Sequence, residues 1–274
     1  MSNRSAPLSI KNTPCSSDPS RDSRSSRSPR SIDFRPVSTS TLSNDIDFVF
    51  FDVDDTLLDH SHAERHALAD VRSRYLAVFG HLSVDELQQT YHEINRPLWE
   101  KYSSGEIEKE IVKHDRFPRL LNAIDAPHAD AARIGSVYLQ RYAEHWKYVD
   151  GARDTYAEIA ERYRVGVLTN GFAEVQAQKL KKFPEIRDRA DVVLVSEETG
   201  HMKPHPHVFE VAAERAEVTP ERILYVGDSW RSDVEGGSRA GWHVAWFARS
   251  GVNGQEMNGR TFAFQDWSDL LSRL

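Results

Sequence analysis

Five short apolar runs, the first four closing on polar or carboxylate residues, constrain this chain more than any other feature. They are Asp47–Asp52, Arg164–Thr169, Asp191–Ser196, Ile223–Asp228 and Trp242–Phe247. A short run that is apolar on both faces reads as a strand buried inside a parallel sheet. Helical spacing fills the gaps between the later runs, at about 152–163, 172–182, 206–217 and 232–240. Strand and helix in alternation predict an α/β fold: a Rossmann-like parallel sheet with right-handed crossovers and helices on both faces. Side chains at the carboxyl ends of such strands gather on one edge, where active sites form.

The alternation is interrupted once. Between the first and second runs, residues 62–147 read as all-helical. Helical spacing covers His62–Phe79, Val84–Tyr102 and Ala129–Trp146, and Ser83 with Glu86 has the form of a capping box at the start of the second of these. Pro97 suggests a kink and Gly105 a break. The expected organisation is therefore a Rossmann-like core over 45–61 and 148–274, with an inserted helical cap over 62–147.

Residues 1–44 differ in kind. They carry seven basic and three acidic residues, a balance of +4, which leaves −11 for the rest of a chain whose net charge is −7. The segment is rich in Ser and Arg and poor in large apolar residues, so it cannot bury enough surface to offset its chain entropy, and a disordered tail is expected. An anion-binding arm, a phosphorylated segment and a transit peptide are the functional alternatives. The longest apolar runs, Tyr75–Phe79 and Val244–Ala248, fall far short of the roughly 20 residues of a membrane helix. One cysteine, Cys15, excludes an intramolecular disulfide framework and fits a reducing, cytoplasmic setting. The acidic balance argues against nucleic acid as the main partner.

The chemistry lies at the strand ends. The first run leads into Asp52, Asp54, Asp55 and Asp59. Such a concentration of carboxylates is costly without a cation, and hard oxygen ligands suit Mg²⁺. An Asp-rich turn capping the next helix is the plainer reading. The second run ends in Thr169-Asn170-Gly171, which suits either a helix N-cap or donors for a phosphate. Lys203 follows the third run, in a loop where a solvated lysine is the ordinary case. The fourth run ends in Asp228, with Asp233 close behind. Taken together, a carboxylate pair, a Thr, a Lys and a second carboxylate pair occur in order, each after a parallel strand, on one edge of one sheet.

With these motifs in that order, residues 46–274 resemble the haloacid-dehalogenase-like hydrolase superfamily, in the subgroup with a helical cap after the first motif. The resemblance implies that Asp52 is a nucleophile forming an aspartyl-phosphate and that Asp54 is the general acid and base. It implies that Thr169, Asn170 and Lys203 bind the phosphoryl group. It further implies that Asp228, the Asp52 side chain and the Asp54 backbone carbonyl hold Mg²⁺, with Thr56 and Asp233 in support. The family's dehalogenases lack an aspartate at the position of Asp54, so a phosphatase is expected over a dehalogenase, a phosphomutase or a silent scaffold.

The cap stretch Ile94–Tyr102, with Gly105 and His114–Phe117, together with Thr169–Phe172 and Ser196–Gly200, is similar to the pyrimidine-nucleotide 5′-nucleotidase branch. That resemblance implies a small phosphorylated substrate, a nucleoside monophosphate, with a sugar-phosphate or flavin-mononucleotide phosphatase as the alternative. Trp99 and Tyr102 either stack a base or belong to the cap core. Arg96, Lys101 and Arg116 either meet substrate or form a solvated face. His60, His62, His201, His205 and His207 are expected in loops near the phosphate site rather than on zinc.

Overall fold

The computed structural model describes residues 45–252 and 254–274; the expected tail over 1–44 lies outside the described residues. Six strands form one parallel sheet: β1 (Phe48–Phe51), β2 (Arg164–Thr169), β3 (Ala190–Val195), β4 (Ile223–Gly227), β5 (His243–Phe247) and β6 (Thr261–Phe264). The sheet order is β3-β2-β1-β4-β5-β6. β1 is central, and all four of its side chains are fully buried. The two-residue period of a strand divides them between two cores. Val49 and Phe51 pack with Val165, Val167, Leu224 and Val226 on one face. Phe48 and Phe50 pack with Leu168, Leu194, Tyr225 and Trp242 on the other.

Helices cover both faces. On the first lie α6 (Ala152–Arg162), α7 (Ala173–Lys182), α8 (Pro184–Arg189) and α11 (Trp267–Leu271), through residues such as Tyr156, Leu180, Ile186 and Trp267. On the second lies α9 (Pro206–Ala216), through Val208, Phe209 and Ala212. A π-helical turn at Trp230–Val234 leads into α10 (Glu235–Arg239), where a single helix over 232–240 is expected from sequence. β6 and α11 escape the sequence reading. β6 is an edge strand, mostly half-exposed, so it lacks the fully apolar run that marks the inner strands.

Five helices are inserted between β1 and β2: α1 (His60–Arg74), α2 (Leu76–Phe79), α3 (Val84–Ser103), α4 (Lys109–Ala123) and α5 (Ala131–Glu144). They pack around their own aromatic core, which includes Phe79, Tyr91, Phe117, Tyr138 and Tyr142. The capping box forms as expected: Ser83 Oγ accepts from Glu86 N at 3.2 Å, and Ser83 N donates to Glu86 Oε2 at 2.7 Å. α3 continues through Pro97 and ends ahead of Gly105, whose φ of +76° closes the segment. α4 is not foreseen, because charged residues and Pro118 mask its apolar stripe.

The insertion is tied to the sheet domain chiefly through α7. Lys109 and Lys113 of α4 pair with Glu174 at 3.1 and 2.7 Å, and Lys109 also reaches Glu197 at 2.5 Å. At the other end of α7, Lys182 Nζ donates to the carbonyls of Ala143 and Glu144, at the C-terminal end of α5. A cation there complements the helix dipole.

The central strands pack without slack. A Cβ built on Gly166 in β2 would stand 2.6 Å from a ring carbon of Phe50 and 2.8 Å from one of Phe48. Gly166→Ala should therefore destabilise the protein by about 1–3 kcal/mol. In a domain of this size, thermal unfolding should read this as roughly 2–4 °C in Tm per kcal/mol; an unchanged Tm would show that the rings have room to yield.

Candidate active site

Chain order and sheet order part company at β1. The chain leaves β1 for β2 and β3 on one side and returns to β4 on the other, so the carboxyl ends of β1 and β4 flank the switch point. Asp52 follows β1 directly, and its N–H donates to the Val226 carbonyl of β4 at 2.9 Å. Asp228 follows β4. The other strand-end residues converge here as the topology requires.

Lys203 stands at the centre. Its side chain is 1% exposed. Its Nζ, with three N–H donors to share among four oxygens, lies 2.9 Å from Asp52 Oδ1, 2.8 Å from Asp233 Oδ1, 2.5 Å from the Tyr225 hydroxyl and 3.2 Å from the Leu168 carbonyl. Burial by itself would lower the Lys203 pKa, but the charges of Asp233 and Asp52 outweigh it and keep the ammonium protonated. Asp233 is held further by Ser229 N at 2.9 Å and Ser232 Oγ at 3.1 Å. The Asn170 amide is engaged at both ends by the Lys203 backbone, donating to its carbonyl at 2.9 Å and accepting from its N–H at 2.8 Å. That side chain thus fixes the Lys203 loop, where the sequence reading had it facing phosphate. Thr169 is buried at the end of β2, and Thr56 Oγ1 donates to Asp228 Oδ1 at 3.3 Å.

Asp52, Asp228 and Asp233 can each turn a carboxylate oxygen to within 4.8 Å of the others. Burial, with the like charges of Asp233 and Asp54 adding to it, pushes Asp52 up to about 7 against the pull of Lys203. Burial and the charges of Asp233 and Asp52 push Asp228 well above the usual carboxylate range. One ammonium does not balance three carboxylates, and the donor set is all oxygen. The site fits a hard divalent cation on both counts.

The four carboxylates that follow β1 divide their work. Asp55 accepts from Ser61 N and Ser61 Oγ, both at 2.8 Å, and Asp59 accepts from His62 N at 3.0 Å. Both lie beside Arg249. They cap α1, so the helix-capping reading of this Asp-rich turn holds for these two, while Asp52 and Asp54 face the site.

Asp54 is not paired with Lys203. Its Oδ2 accepts from Gln176 Nε2 at 2.7 Å and its Oδ1 from Lys179 Nζ, both from α7. Burial would raise the Asp54 pKa, but Lys179, His60 and the Gln176 amide together hold it below its ordinary value. Gln176 can reach Asp54 only because residue 171 is glycine: a Cβ there would stand 1.8 Å from Gln176 Nε2. Lys179 is itself fully buried and lies over the Tyr142 and Trp146 rings of the insertion, at 5.3 and 5.7 Å. Neither Gln176 nor Lys179 is singled out by sequence reasoning. The available signal was a lysine on the apolar face of the helix, one turn after Val175 and next to Leu180.

A cavity of about 390 Å³ opens from Asp54 toward the insertion and is lined there by Tyr91, Asn95, Trp99 and Arg116. Its size lies within the roughly 300–1,000 Å³ of small-molecule sites. Trp99 stacks on Phe172 at 4.6 Å, and Tyr102 packs against the same ring at 5.7 Å. Of the two aromatics, Trp99 lines the cavity, and both join the apolar seam between α3 and Phe172. Arg116 is buried, Arg96 is exposed at the cavity wall, and Lys101 is exposed elsewhere. His60 lines the cavity with its Nδ1 2.7 Å from the Tyr142 hydroxyl, while His201 and His205 stack on each other in an exposed loop.

A parallel α/β sheet with clustered strand-end carboxylates, a buried lysine and a helical insertion over them defines a hydrolase of the capped α/β class. The haloacid dehalogenase-like hydrolase profile matches residues 46–241, and the chain belongs to that family. It is 28% identical to the pyrimidine 5′-nucleotidase YjjG of Escherichia coli over 73% of this chain and 85% of the relative. It is 31% identical to the HAD-hydrolase YfnB of Bacillus subtilis over 72% and 82%. It is 30% identical to a glyceraldehyde 3-phosphate phosphatase of Pyrococcus abyssi over 74% and 81%. The magnesium-bound crystal structure of YfnB superposes with a TM-score of 0.70 at 27% identity, covering 82% of this chain and 97% of that one. The protein is a phosphatase of the HAD type.

Lys179→Met would leave Asp54 without its cation and with only the Gln176 amide. Phosphate release from p-nitrophenyl phosphate should then fall at least about tenfold in kcat, with a native circular dichroism spectrum. An undiminished kcat would mean that Asp54 is placed without Lys179.

Proposed function

We propose that this protein is a Mg²⁺-dependent nucleoside monophosphate phosphatase that works through an aspartyl-phosphate on Asp52. The observation that carries the reading is the convergence of Asp52 and Asp233 on the buried Lys203, with Asp228 grouped with both carboxylates and Asp54 lining a neighbouring cavity. A soluble cytoplasmic setting belongs to the same reading, supported by the single cysteine.

In the first step an Asp52 carboxylate oxygen attacks phosphorus and the bond from phosphorus to the leaving oxygen breaks. Lys179 and Gln176 hold Asp54 ionised in the free site, so Asp54 must take up a proton as the substrate binds and then gives it to the departing alkoxide. In the second step a water attacks the phosphorus of the acyl phosphate. Asp54 takes the water's proton, the bond between phosphorus and Asp52 breaks, and inorganic phosphate leaves with both carboxyl groups restored. Lys203 and Thr169 hold the phosphoryl oxygens, so that an anion can approach an anion. Mg²⁺, when bound by Asp52, Asp228 and the Asp54 backbone carbonyl, supplies further charge neutralisation at the same oxygens. Asp233 and Thr56 hold Lys203 and Asp228 in place. Asn170 supports phosphate binding through the Lys203 loop.

The leaving group occupies the cavity beyond Asp54. Its aromatic and amide lining suits a nucleoside better than a bare three-carbon sugar, and YjjG is a pyrimidine 5′-nucleotidase. The glyceraldehyde 3-phosphate phosphatase relative makes a sugar phosphate the second reading.

The test is phosphate release from uridine, thymidine and adenosine monophosphates, flavin mononucleotide, several sugar phosphates and p-nitrophenyl phosphate. Release should require Mg²⁺, stop with EDTA and fall to background in Asp52→Asn. Nucleoside monophosphates should lead in kcat/KM. If sugar phosphates lead instead, the second reading replaces the first.

A further inference from the structure

Of the four oxygens around Lys203 Nζ, the Leu168 carbonyl is the farthest, at 3.2 Å. It also has a donor of its own, because the Tyr225 O–H reaches it at 2.8 Å. The three N–H groups of the lysine therefore go to Asp52, Asp233 and the Tyr225 oxygen. The tyrosine accepts from the lysine and passes its own hydrogen on to Leu168.

The sheet places Tyr225 for this part. β4 and β2 flank β1, and β1 stops at Phe51 opposite Val167, one residue short of Leu168. The Tyr225 side chain bridges from β4 to β2 across that end. Its ring is fully buried, edge-on to Phe209 and Trp242 at 6.0 Å each, and its centroid lies 5.1 Å from Lys203 Nζ. A ring packed in this way holds its hydroxyl at one point.

An ammonium group is a rigid tripod, so fixing two of its N–H groups fixes the third. Asp233, itself fully buried, holds one and Tyr225 holds another. The third is left facing Asp52. We propose that Tyr225 is a positioning residue for phosphoryl transfer: its hydroxyl occupies both the Leu168 carbonyl and one Lys203 N–H, and so aims the remaining N–H at Asp52 and the incoming phosphoryl oxygen. Without the hydroxyl, the Leu168 carbonyl loses its closer donor and draws the lysine toward β2. The pull is the cost of leaving a buried carbonyl unpaired. The assignment rests on the reading that Lys203 holds the phosphoryl group, and not on the nucleoside reading.

The experiment measures inhibition by inorganic phosphate, and turnover of p-nitrophenyl phosphate and of the fastest of the monophosphates, in wild type, Tyr225→Phe and Phe209→Leu. Tyr225→Phe removes one oxygen and keeps the ring. Phe209→Leu loosens the same core and keeps the hydroxyl. In Tyr225→Phe the Ki of phosphate should rise at least about fivefold, and kcat/KM should fall by a similar factor on both substrates, since the change lies at the phosphoryl end. In Phe209→Leu the Tm should fall while the phosphate Ki stays within about twofold of wild type. An unchanged Ki in Tyr225→Phe overturns the proposal. So does an equal rise in Phe209→Leu, because packing would then be the cause. A Tyr225→Phe chain that fails to fold overturns it too, because the hydroxyl would then serve the fold. Failure of the parent reading looks different: Asp52→Asn would release phosphate as fast as wild type.

Discussion

A buried ammonium among carboxylates is the interaction on which this structure turns. Taking Lys203 out of water costs several kcal/mol, and that cost is offset only where every donor finds an oxygen in good geometry. Here the oxygens come from the loop after β1, the end of β2, strand β4 and the π-turn after it. Satisfying one lysine therefore clamps three strands of the sheet at their carboxyl ends. The same cluster carries more negative than positive charge, which raises Asp52 and Asp228 and prepares the site for a second, divalent positive charge. The clamp and the preparation for catalysis have one electrostatic origin.

α7 joins this site to the insertion. Its first turn meets Glu197 and the lysines of α4, its middle presents Gln176 and Lys179 to Asp54, and its end holds the C-terminus of α5. Lys179 touches Asp54 on one side and the aromatic rings of the insertion on the other. The cation that pairs with Asp54 is therefore packed against the insertion. The cavity wall and the Asp54 carboxylate thus share one physical neighbour, Lys179.

The division of labour between the two cores follows from the same layout. The sheet contributes the strand-end carboxylates and Lys203, and relatives named for nucleotide and triose-phosphate substrates are about equally similar to this chain. The insertion contributes much of the cavity wall, through Tyr91, Asn95, Trp99 and Arg116. On the proposed reading, substrate choice falls to α3 and α4 more than to the strand ends.

Much of this was legible in the residues. Inner strands buried on both faces must be short and apolar, so β1 to β5 announce themselves, and parallel order then forces Asp52, Thr169, Lys203 and Asp228 onto one edge. Helix α3 is marked by its capping box. β6 and α4 were hidden because an edge strand and a half-solvated helix need no unbroken apolar pattern. Contacts between side chains far apart in sequence left no local trace: Asp54 with Lys179, Lys203 with Tyr225, Tyr91 with Arg116. Sequence alone determined the fold class, the catalytic edge and the residue types on it, because those follow from local periodicity and strand direction. Only the tertiary structure decided which carboxylate meets which cation, and which residues line the cavity, because burial and pairing arise when distant segments pack together.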